Sequence, residues 1–252
     1  MPDAFAPCIL IPTYNNAATL RQVVERVGRF GAPVLVVDDG SGAAARAVAR
    51  EIEVAREAQV VWCPHNGGKG AAVKAGFVAA RSAGFTHALQ VDADGQHDLD
   101  QVGTFLEAAR AHPQALVLAS PVFSVDAPRG RRIGREINNF WVAIETFGRP
   151  IQDAMIGFRV YPLAATLATR PAGDRMEFDI EVAVRLVWAA TPVLNLPVAV
   201  RYLTAAEGGV SHFRMVRDNV RISWLHTRLV TEALIRKLLL WQRFGKRLSP
   251  PA

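Results

Sequence analysis

Short apolar runs alternate with helix-like segments along the first half of this 252-residue sequence, and this alternation most limits its fold. The runs are rich in valine, isoleucine and leucine, and the segments between them have the length of single helices. Strand and helix in turn predict βαβ units, and hence an α/β fold with a mainly parallel open sheet flanked by helices. The predicted strands are residues 8–12, 34–37, 60–62, 86–91 and 116–119.

The second half of the sequence is less regular. Residues 120–132 are rich in Pro, Gly and Arg, which indicates a loop. Over residues 215–244 apolar residues recur every three or four positions, as in one long helix or two. Further strands are predicted at 157–161 and 193–202, and helices at 138–147 and 178–189. We expect a domain of residues 1–213, with halves 1–120 and 121–213, followed by a helical tail of residues 214–252.

The basic charge of the chain is concentrated in that tail. Residues 214–252 hold nine basic and two acidic residues, a net charge of +7, whereas the other 213 residues carry −1. A basic amphipathic helix is typical of segments that lie on anionic membranes, and a helix that packs back on the domain is the alternative.

Composition points to a peripheral protein in a reducing compartment. No run approaches the ~20 apolar residues that cross a bilayer, and residues 1–7 do not resemble a signal peptide. Cys8 and Cys63 lie in apolar runs and give no disulfide framework. We therefore expect a cytoplasmic protein, peripheral at the inner face of the cell membrane.

Polar residues follow three of the predicted strands at the point where each strand ends, in segments 12–16, 38–40 and 92–96. In an open α/β sheet, the carboxyl ends of the parallel strands form the edge at which ligands bind. The sequence therefore predicts one ligand-binding crevice lined by these three segments.

Asp92-Ala93-Asp94 is the strongest of these clusters. Two carboxylates separated by one residue can share a hard divalent cation, and Mg²⁺ and Mn²⁺ bind substrate phosphates through one or two carboxylates. We expect Asp92, Asp94 and the side-chain carbonyl of Gln96 to hold Mg²⁺ or Mn²⁺. The alternative is a polar loop whose aspartates cap the helix that begins near Asp98.

Two further clusters suit a nucleotide. Asp38 and Asp39 can accept hydrogen bonds from a nucleobase or a ribose, and a helix cap with a turn is the alternative. The segment NGGKG at 66–70 offers backbone N–H groups and Lys69 at a helix start, which suits an anion. A flexible turn with a solvated lysine is the alternative for this segment.

Candidates for the acceptor side lie in the second half of the chain. Asp153 in the segment DAMIGFR can serve as a general base, and Arg159 as a structural or phosphate partner. Asp179 lies near a predicted helix start, and the polar loop 201–212 is typical of a lid or acceptor loop. A loop salt bridge, a helix cap and a solvated loop are the corresponding structural alternatives.

Five segments in order resemble the family 2 glycosyltransferases, which have the GT-A fold, and in particular the branch that includes dolichol-phosphate mannose synthase and bacterial relatives. The segments are IPTYN at 11–15, VVDDGS at 36–41, NGGKG at 66–70, DADGQH at 92–97 and DAMIGFR at 153–159. The chain departs from the family pattern at Asn16, where Glu is common, and at Ile156, where a small Ser is usual. A further departure is His212, which stands where polyprenyl-phosphate enzymes have a basic residue.

The resemblance implies an inverting, metal-assisted transfer of a sugar from a nucleoside-diphosphate sugar to a lipid or lipid-linked acceptor. It implies that Asp94 and Asp153 are catalytic and that Asp153 faces the acceptor. The donor-binding residues would be Pro12, Thr13, Tyr14, Asn15, Asp38, Asp39, Lys69, Asp92, Ala93 and Gln96, and the acceptor side would include Arg159, Asp179, Arg201 and His212.

Two other functions stay open. A nucleotidyltransferase on a similar sheet needs a Gly-rich basic segment after the first strand, where this chain has PTYNN at 12–16. The second of these functions is non-catalytic binding of a nucleotide sugar or of nucleic acid. The basic tail suits nucleic acid, but the acidic crevice does not, so we expect no nucleic-acid partner.

Overall fold

One seven-stranded sheet forms the centre of the protein in its computed structural model, which describes residues 4–123, 129–148, 150–200 and 215–245. The strands are β1 (Pro7–Thr13), β2 (Val34–Asp38), β3 (Gln59–Trp62), β4 (His87–Gln90), β5 (Leu116–Phe123), β6 (Arg159–Pro162) and β7 (Val193–Val200). Their order across the sheet is β3-β2-β1-β4-β6-β5-β7.

All neighbouring strands are parallel except β6, which runs antiparallel to both β4 and β5. Arg159, the first residue of β6, lies beside Gln90, the last residue of β4. The beginning of β6 therefore lies at the edge where β1, β2 and β4 end. The prediction of a mainly parallel open sheet is confirmed, with β6 as the exception.

Helices cover both faces of the sheet. They are α1 (Leu20–Gly28), α2 (Ala43–Val54), α3 (Lys69–Ser82), α4 (Val102–Ala111), α5 (Arg129–Glu145), α6 (Leu163–Thr169), α7 (Phe178–Trp188) and α8 (Met215–Gly245). Side chains alternate along β1, because successive residues of a strand point to opposite faces. Cys8 and Leu10 join a core with α3, α5, α6, α7 and α8, whereas Ile9 and Ile11 join a core with α1, α2 and α4.

Three elements differ from the sequence-based expectation. β5 continues to Phe123, and α5 begins at Arg129, although residues 120–132 were expected to form a loop. Proline and glycine in this segment made its sequence pattern resemble a loop more than a strand or a helix. Hydrogen bonding to β7 nevertheless extends β5 as far as Phe123. The seven-residue helix α6 was not expected, because it follows β6 without a connecting turn residue.

The long C-terminal helix α8 is part of the core along one face. Ile222, Leu225 and Leu229 belong to the same buried cluster as α3 and α7. The helical part of the predicted tail therefore shares a core with the domain that precedes it. Among the described residues, no helix combines the length and the apolar character that crossing a membrane requires.

Candidate active site

The three predicted polar segments meet at one edge of the sheet. Thr13 at the end of β1 lies beside Asp38 at the end of β2. On the other side of β1, the N–H of Val91 donates to the carbonyl of Leu10 at 2.9 Å, which places the 92–96 segment next to β1. The segments that carry the candidate donor and metal residues are therefore neighbours, as expected for parallel strands.

Asp39 holds the glycine loop that precedes α3. Its two carboxylate oxygens accept hydrogen bonds from the backbone N–H groups of Gly67 and Gly68, both at 2.8 Å. Burial raises the pKa of Asp39, and these two hydrogen bonds offset part of the effect. Gly68 has a φ of 105°, and a Cβ there would lie 2.6 Å from the carbonyl oxygen of Asp174. The loop therefore depends on both the carboxylate and the glycine.

Asp38 at the end of β2 is held in the protein interior. Its side chain is fully buried and accepts hydrogen bonds from the N–H of Ser41 at 3.3 Å and from Nε of Arg46 at 3.2 Å. These partners favour the structural alternative for Asp38, a turn with a helix cap, and its contact with the donor stays a prediction.

Residues 12–16 provide one wall of the crevice. Pro12 and Thr13 are buried in β1, whereas Tyr14 is half-buried and Asn15 is exposed. Asn15 joins this wall to the next loop, since its N–H donates to Oγ of Ser41 and its Oδ1 accepts from the N–H of Gly42. Tyr14 and Asn15 are thus the members of this segment that a donor can touch.

Lys69 forms the electrostatic centre of the site. Its Nζ lies 2.8 Å from Oδ1 of Asp92 and 2.9 Å from Oδ2 of Asp179, at the start of α7. Burial alone would lower the pKa of Lys69, but Asp179 and Asp92 outweigh it and raise the pKa. Burial would likewise raise the pKa of Asp92, yet the charge of Lys69 holds it below its ordinary value. Lys69 and Asp92 are therefore both charged.

Gly157 lies directly against this ion pair. A Cβ at residue 157 would collide with both carboxylate oxygens of Asp92 and would lie 2.6 Å from Nζ of Lys69. A side chain at this position would therefore fill the space that the Lys69–Asp92 pair occupies.

Asp94 stands beside the pair, and its side chain is half-buried, as that of Asp92 is. Oδ1 of Asp94 accepts from the N–H of Gln96 at 3.0 Å. Burial, followed by the charge of Asp92, raises the pKa of Asp94. Ala93 between the two aspartates is held by Oγ1 of Thr19, which donates to its carbonyl oxygen at 2.5 Å.

The residues present fit a divalent cation that is shared with a substrate. Within the described ranges, no group of three or more His, Cys, Asp or Glu side chains is arranged to hold a metal ion by itself. One or two carboxylates with phosphate oxygens and water complete the usual coordination of Mg²⁺. Asp94 is the more available carboxylate for this purpose, because Asp92 already pairs with Lys69.

Asp153 is enclosed in hydrogen bonds. Arg135 donates to both of its carboxylate oxygens at 2.7 Å, and the N–H groups of Met155 and Ile156 donate to Oδ1 at 2.9 and 2.8 Å. Its side chain is buried. The structure thus presents Asp153 as a charge-paired anchor of its loop, with three donors at Oδ1 and Arg135 at Oδ2.

Arg159 is a scaffold residue. Its guanidinium is fully buried and donates to the carbonyl oxygens of Ala154, Ile156 and Asp179. All three partners are backbone groups of the protein interior, which favours the structural role of Arg159, and its contact with an acceptor stays a prediction. Arg159 fixes the loop before β6 to the first turn of α7. Asp179 is nearly buried too, and it reaches the site only through Lys69.

The sequence analysis did not identify the roles of three residues at the site, Arg135, Gly157 and His97. Arg135 lies between the predicted loop 120–132 and the predicted helix 138–147, so its contact with Asp153 was not anticipated. Gly157 shows its importance only through the space around it. His97 is buried against Phe158, with ring centroids 5.5 Å apart, and burial lowers its pKa. The predicted acceptor residues Arg201 and His212 lie outside the described residues.

The sequence profile described as "Glycosyl transferase family 2" matches residues 8–166. Polyprenol monophosphomannose synthase of Mycolicibacterium smegmatis is 35% identical over 108 residues, which are 41% of this chain and 40% of that protein. The aligned part thus spans less than half of this relative. Glycosyltransferase AglJ of Haloferax volcanii is 27% identical over 224 residues, 86% of this chain and 70% of that protein.

Solved structures show the same fold. Glucosyl-3-phosphoglycerate synthase of Mycobacterium tuberculosis, in complex with uridine diphosphate, superimposes with a TM-score of 0.68 at 14% identity, over 91% of this chain and 80% of that one. Its complex with Mn²⁺ and uridine-diphosphate-glucose gives a TM-score of 0.63 at 18% identity, over 88% of this chain and 79% of that one. The sheet and its helices are thus of the GT-A type. Because the profile covers well over half of the 252 residues, the chain belongs to glycosyl transferase family 2.

Proposed function

We propose that the protein transfers a glycosyl group, with inversion, from a nucleoside-diphosphate sugar to a lipid or lipid-linked acceptor. The observation that carries this proposal is the cluster of Asp92, Asp94 and Lys69 at the edge where three strands end. This position places two carboxylates and one ammonium group where a diphosphate would lie between donor and acceptor sides. A mycobacterial relative named for polyprenol monophosphate mannosylation supports a lipid acceptor.

Mg²⁺ or Mn²⁺, held by Asp94 with Asp92 and Gln96, would offset the charge that develops on the leaving diphosphate. Lys69 keeps Asp92 ionised and oriented by bonding to both of its oxygens. Asp39 and the Gly67-Gly68 amides shape the floor beneath the nucleotide, and Tyr14 and Asn15 line its side.

The surroundings of Asp153 favour a phosphate as the acceptor group. A hydroxyl acceptor needs a base for its proton, whereas a phosphate monoester already carries a nucleophilic anion. Arg135 bonds to both oxygens of Asp153 and two amides bond to Oδ1, so Asp153 would have to give up one of these bonds to accept a proton from a hydroxyl. A lipid phosphate therefore fits this site better than a lipid alcohol, and Asp153 acts by holding the acceptor loop.

Thermal denaturation with nucleoside diphosphates and their sugars, each with Mg²⁺ or Mn²⁺, tests donor binding. At a ligand concentration of about 100 times Kd, the folded state gains about 2.7 kcal/mol, which raises Tm by several degrees in a chain of this length. We expect one base to stabilise the protein in a metal-dependent manner. No stabilisation by any donor would contradict the proposal.

Product analysis then separates the three functions. With a nucleoside-diphosphate sugar and a polyprenyl phosphate, a glycosyltransferase releases a nucleoside diphosphate. In a second reaction with a nucleoside triphosphate and a sugar phosphate, release of pyrophosphate would indicate a nucleotidyltransferase. Binding without turnover in both reactions would indicate a non-catalytic binder.

The outer faces of α5 and α8 support a place at a membrane. Each helix buries one face in the protein and exposes apolar residues on another. On α5 these residues recur every three or four positions, and on α8 they form two groups separated by ten positions between Trp224 and Leu234. The exposed residues are Ile133, Ile137, Phe140, Trp141 and Ile144 on α5, and Val216, Val220, Trp224, Leu234, Ile235, Leu238 and Leu239 on α8. Exposed apolar patches of this extent mark interaction surfaces.

We propose that this surface, the α5–α8 face, docks on an anionic bilayer. Basic residues outnumber acidic ones on α8, whose acids are Asp218 and Glu232. Arg221, Arg228 and Arg236 pair with Asp218, Glu181 and Glu232, so the excess positive charge comes mainly from Arg217 and Lys237. Anionic lipid complements this charge, whereas a second copy would bring like charges together.

Vesicle co-sedimentation tests the α5–α8 face. The double variant Phe140→Ser, Trp224→Ser should lose most of its binding to vesicles that contain anionic lipid, since both side chains are exposed in the wild type. Val54→Ser is the matched control, because Val54 is 83% exposed on α2, away from this face. Equal sedimentation of all three proteins would contradict the proposal. So would a concentration-dependent dimer that the double variant abolishes.

A further inference from the structure

A buried polar trio joins α5 to α8. Nδ1 of His226 on α8 lies 2.7 Å from Oε1 of Glu145, and Nε2 lies 2.8 Å from Oδ1 of Asn138, both on α5. All three side chains are buried. Burying such groups is costly unless they bond to one another, so their mutual geometry is fixed.

The other partners of Asn138 determine which atom is the donor in its hydrogen bond with His226. Its Nδ2 donates to the carbonyl oxygen of Gly134 at 2.8 Å and contacts Sδ of Met155 at 3.2 Å. Oδ1 is therefore the acceptor, and Nε2 of His226 carries the proton that Asn138 accepts. The other ring nitrogen, Nδ1, shares a proton with Glu145. Burial raises the pKa of Glu145, and the hydrogen bond from His226 offsets part of this rise.

The same face of α5 holds the loop that follows Asp153. Arg135 binds Asp153, Asn138 contacts Met155, and Oδ1 of Asn139 accepts from the N–H of Ala154 at 3.2 Å. Three consecutive residues of the loop thus depend on one helix. A shift of α5 along or about its axis would move all three contacts together.

We infer that His226 is a positioning residue for the acceptor side of the site. It clamps α5 against α8 through Glu145 and Asn138, and α5 in turn fixes the loop at Asp153. This inference rests on the proposed function only in naming the loop as the acceptor side. His226 itself lies in the interior and touches no substrate.

Amide hydrogen exchange tests the clamp without any need for activity. In His226→Gln, one side-chain amide cannot bond to both partners, so the N–H groups of Ala154, Met155 and Ile156 should exchange about tenfold faster. His87→Gln is the matched control. His87 is also buried, with its ring nitrogens at 2.9 Å from Oγ1 of Thr86 and 2.8 Å from the carbonyl of Pro113, but it lies at the opposite end of β4. Exchange at residues 154–156 should not change in this control.

Kinetics provide the second readout. His226→Gln should raise KM for a polyprenyl phosphate acceptor about tenfold and leave nucleotide binding unchanged within twofold, whereas His87→Gln should change neither. Asn138→Ala removes the bond to His226 together with the contacts to Gly134 and Met155, but it keeps the bond between His226 and Glu145. This variant should reproduce the exchange effect if His226→Gln fails to fold. Unchanged exchange at residues 154–156 would overturn the inference. An inactive wild-type enzyme with the expected exchange pattern would instead overturn the proposed function.

Discussion

Replacing Asp94 with alanine is expected to lower metal-dependent glycosyl transfer by at least about 100-fold, with the fold intact. Asp94 presents the more available carboxylate at the point where three strands end, because Asp92 already bonds to Lys69. Loss of a carboxylate that holds a metal and orients a diphosphate costs about 3 kcal/mol or more in the transition state. Initial rates at saturating donor, together with a Mn²⁺ titration followed by isothermal calorimetry in the presence of the nucleoside diphosphate, measure the effect.

Asp100→Ala is the control for this variant. Asp100 is exposed and pairs with Arg26 on the surface, so its loss should change activity by less than twofold. Full activity of Asp94→Ala at ordinary Mn²⁺ concentrations would refute the assignment of Asp94 to the metal and diphosphate. Loss of activity with unchanged metal affinity would place Asp94 in a different catalytic role.

Gly157→Ala is expected to reduce kcat/KM for the donor by about tenfold or more and to change Tm little. The added methyl group would occupy the space of the Lys69–Asp92 pair. The atoms that it meets are the ends of two side chains, which can move aside at small cost to folding. The ion pair would then separate, and Asp92 would lose the charge that holds its pKa down. Steady-state kinetics and thermal denaturation of the same samples distinguish the two effects.

Alanine substitutions at two other glycines serve as controls for this prediction, one expected to be neutral and one expected to be destabilising. Gly28→Ala at the end of α1 should be neutral, because nothing lies within 4 Å of the added Cβ. Gly70→Ala should lower stability, because its Cβ would lie 2.8 Å from a backbone carbon of Asp174 and 2.9 Å from the carbonyl oxygen of Gly173. If Gly157→Ala instead behaved as Gly70→Ala does, the residue would serve folding and not the ion pair.

The donor half of the fold could be predicted from the sequence because its signals are local. Each apolar run there is a single strand, and three of them are followed directly by a polar segment, so the rule that parallel strands end at one edge was enough for these segments. Asp39 was predicted to lie in the crevice in this way, and Lys69 was predicted from its glycine-rich segment and from the family resemblance. The partners of these two residues could not be predicted from the sequence. Asp39 bonds to Gly67 and Gly68, and Lys69 lies between Asp92 and Asp179.

The other half depends on contacts between distant residues. Arg135 and Asp153, or His226 and Glu145, are 18 and 81 residues apart, and no pattern along the chain joins them. Arg159 is a second example, in which distant partners give the residue a structural environment that the local sequence did not indicate. An arginine after a glycine suggested a ligand contact, but three backbone carbonyls of the interior surround it.

The reversed direction of β6 has a consequence for how such a protein can diversify. Because β6 pairs with β4 on one side and β5 on the other, its position in the sheet is set without help from the segment that leads into it. That segment, which includes α5 and the loop at Asp153, enters and leaves the sheet at the same edge. Gly157 at the end of this segment is constrained, because it lies against the Lys69–Asp92 pair. Insertions or replacements before Gly157 can change the surface beside the Asp153 loop while β1, β2 and β4 keep their spacing. Selection can therefore vary one stretch of the gene and leave the Lys69–Asp92 pair untouched.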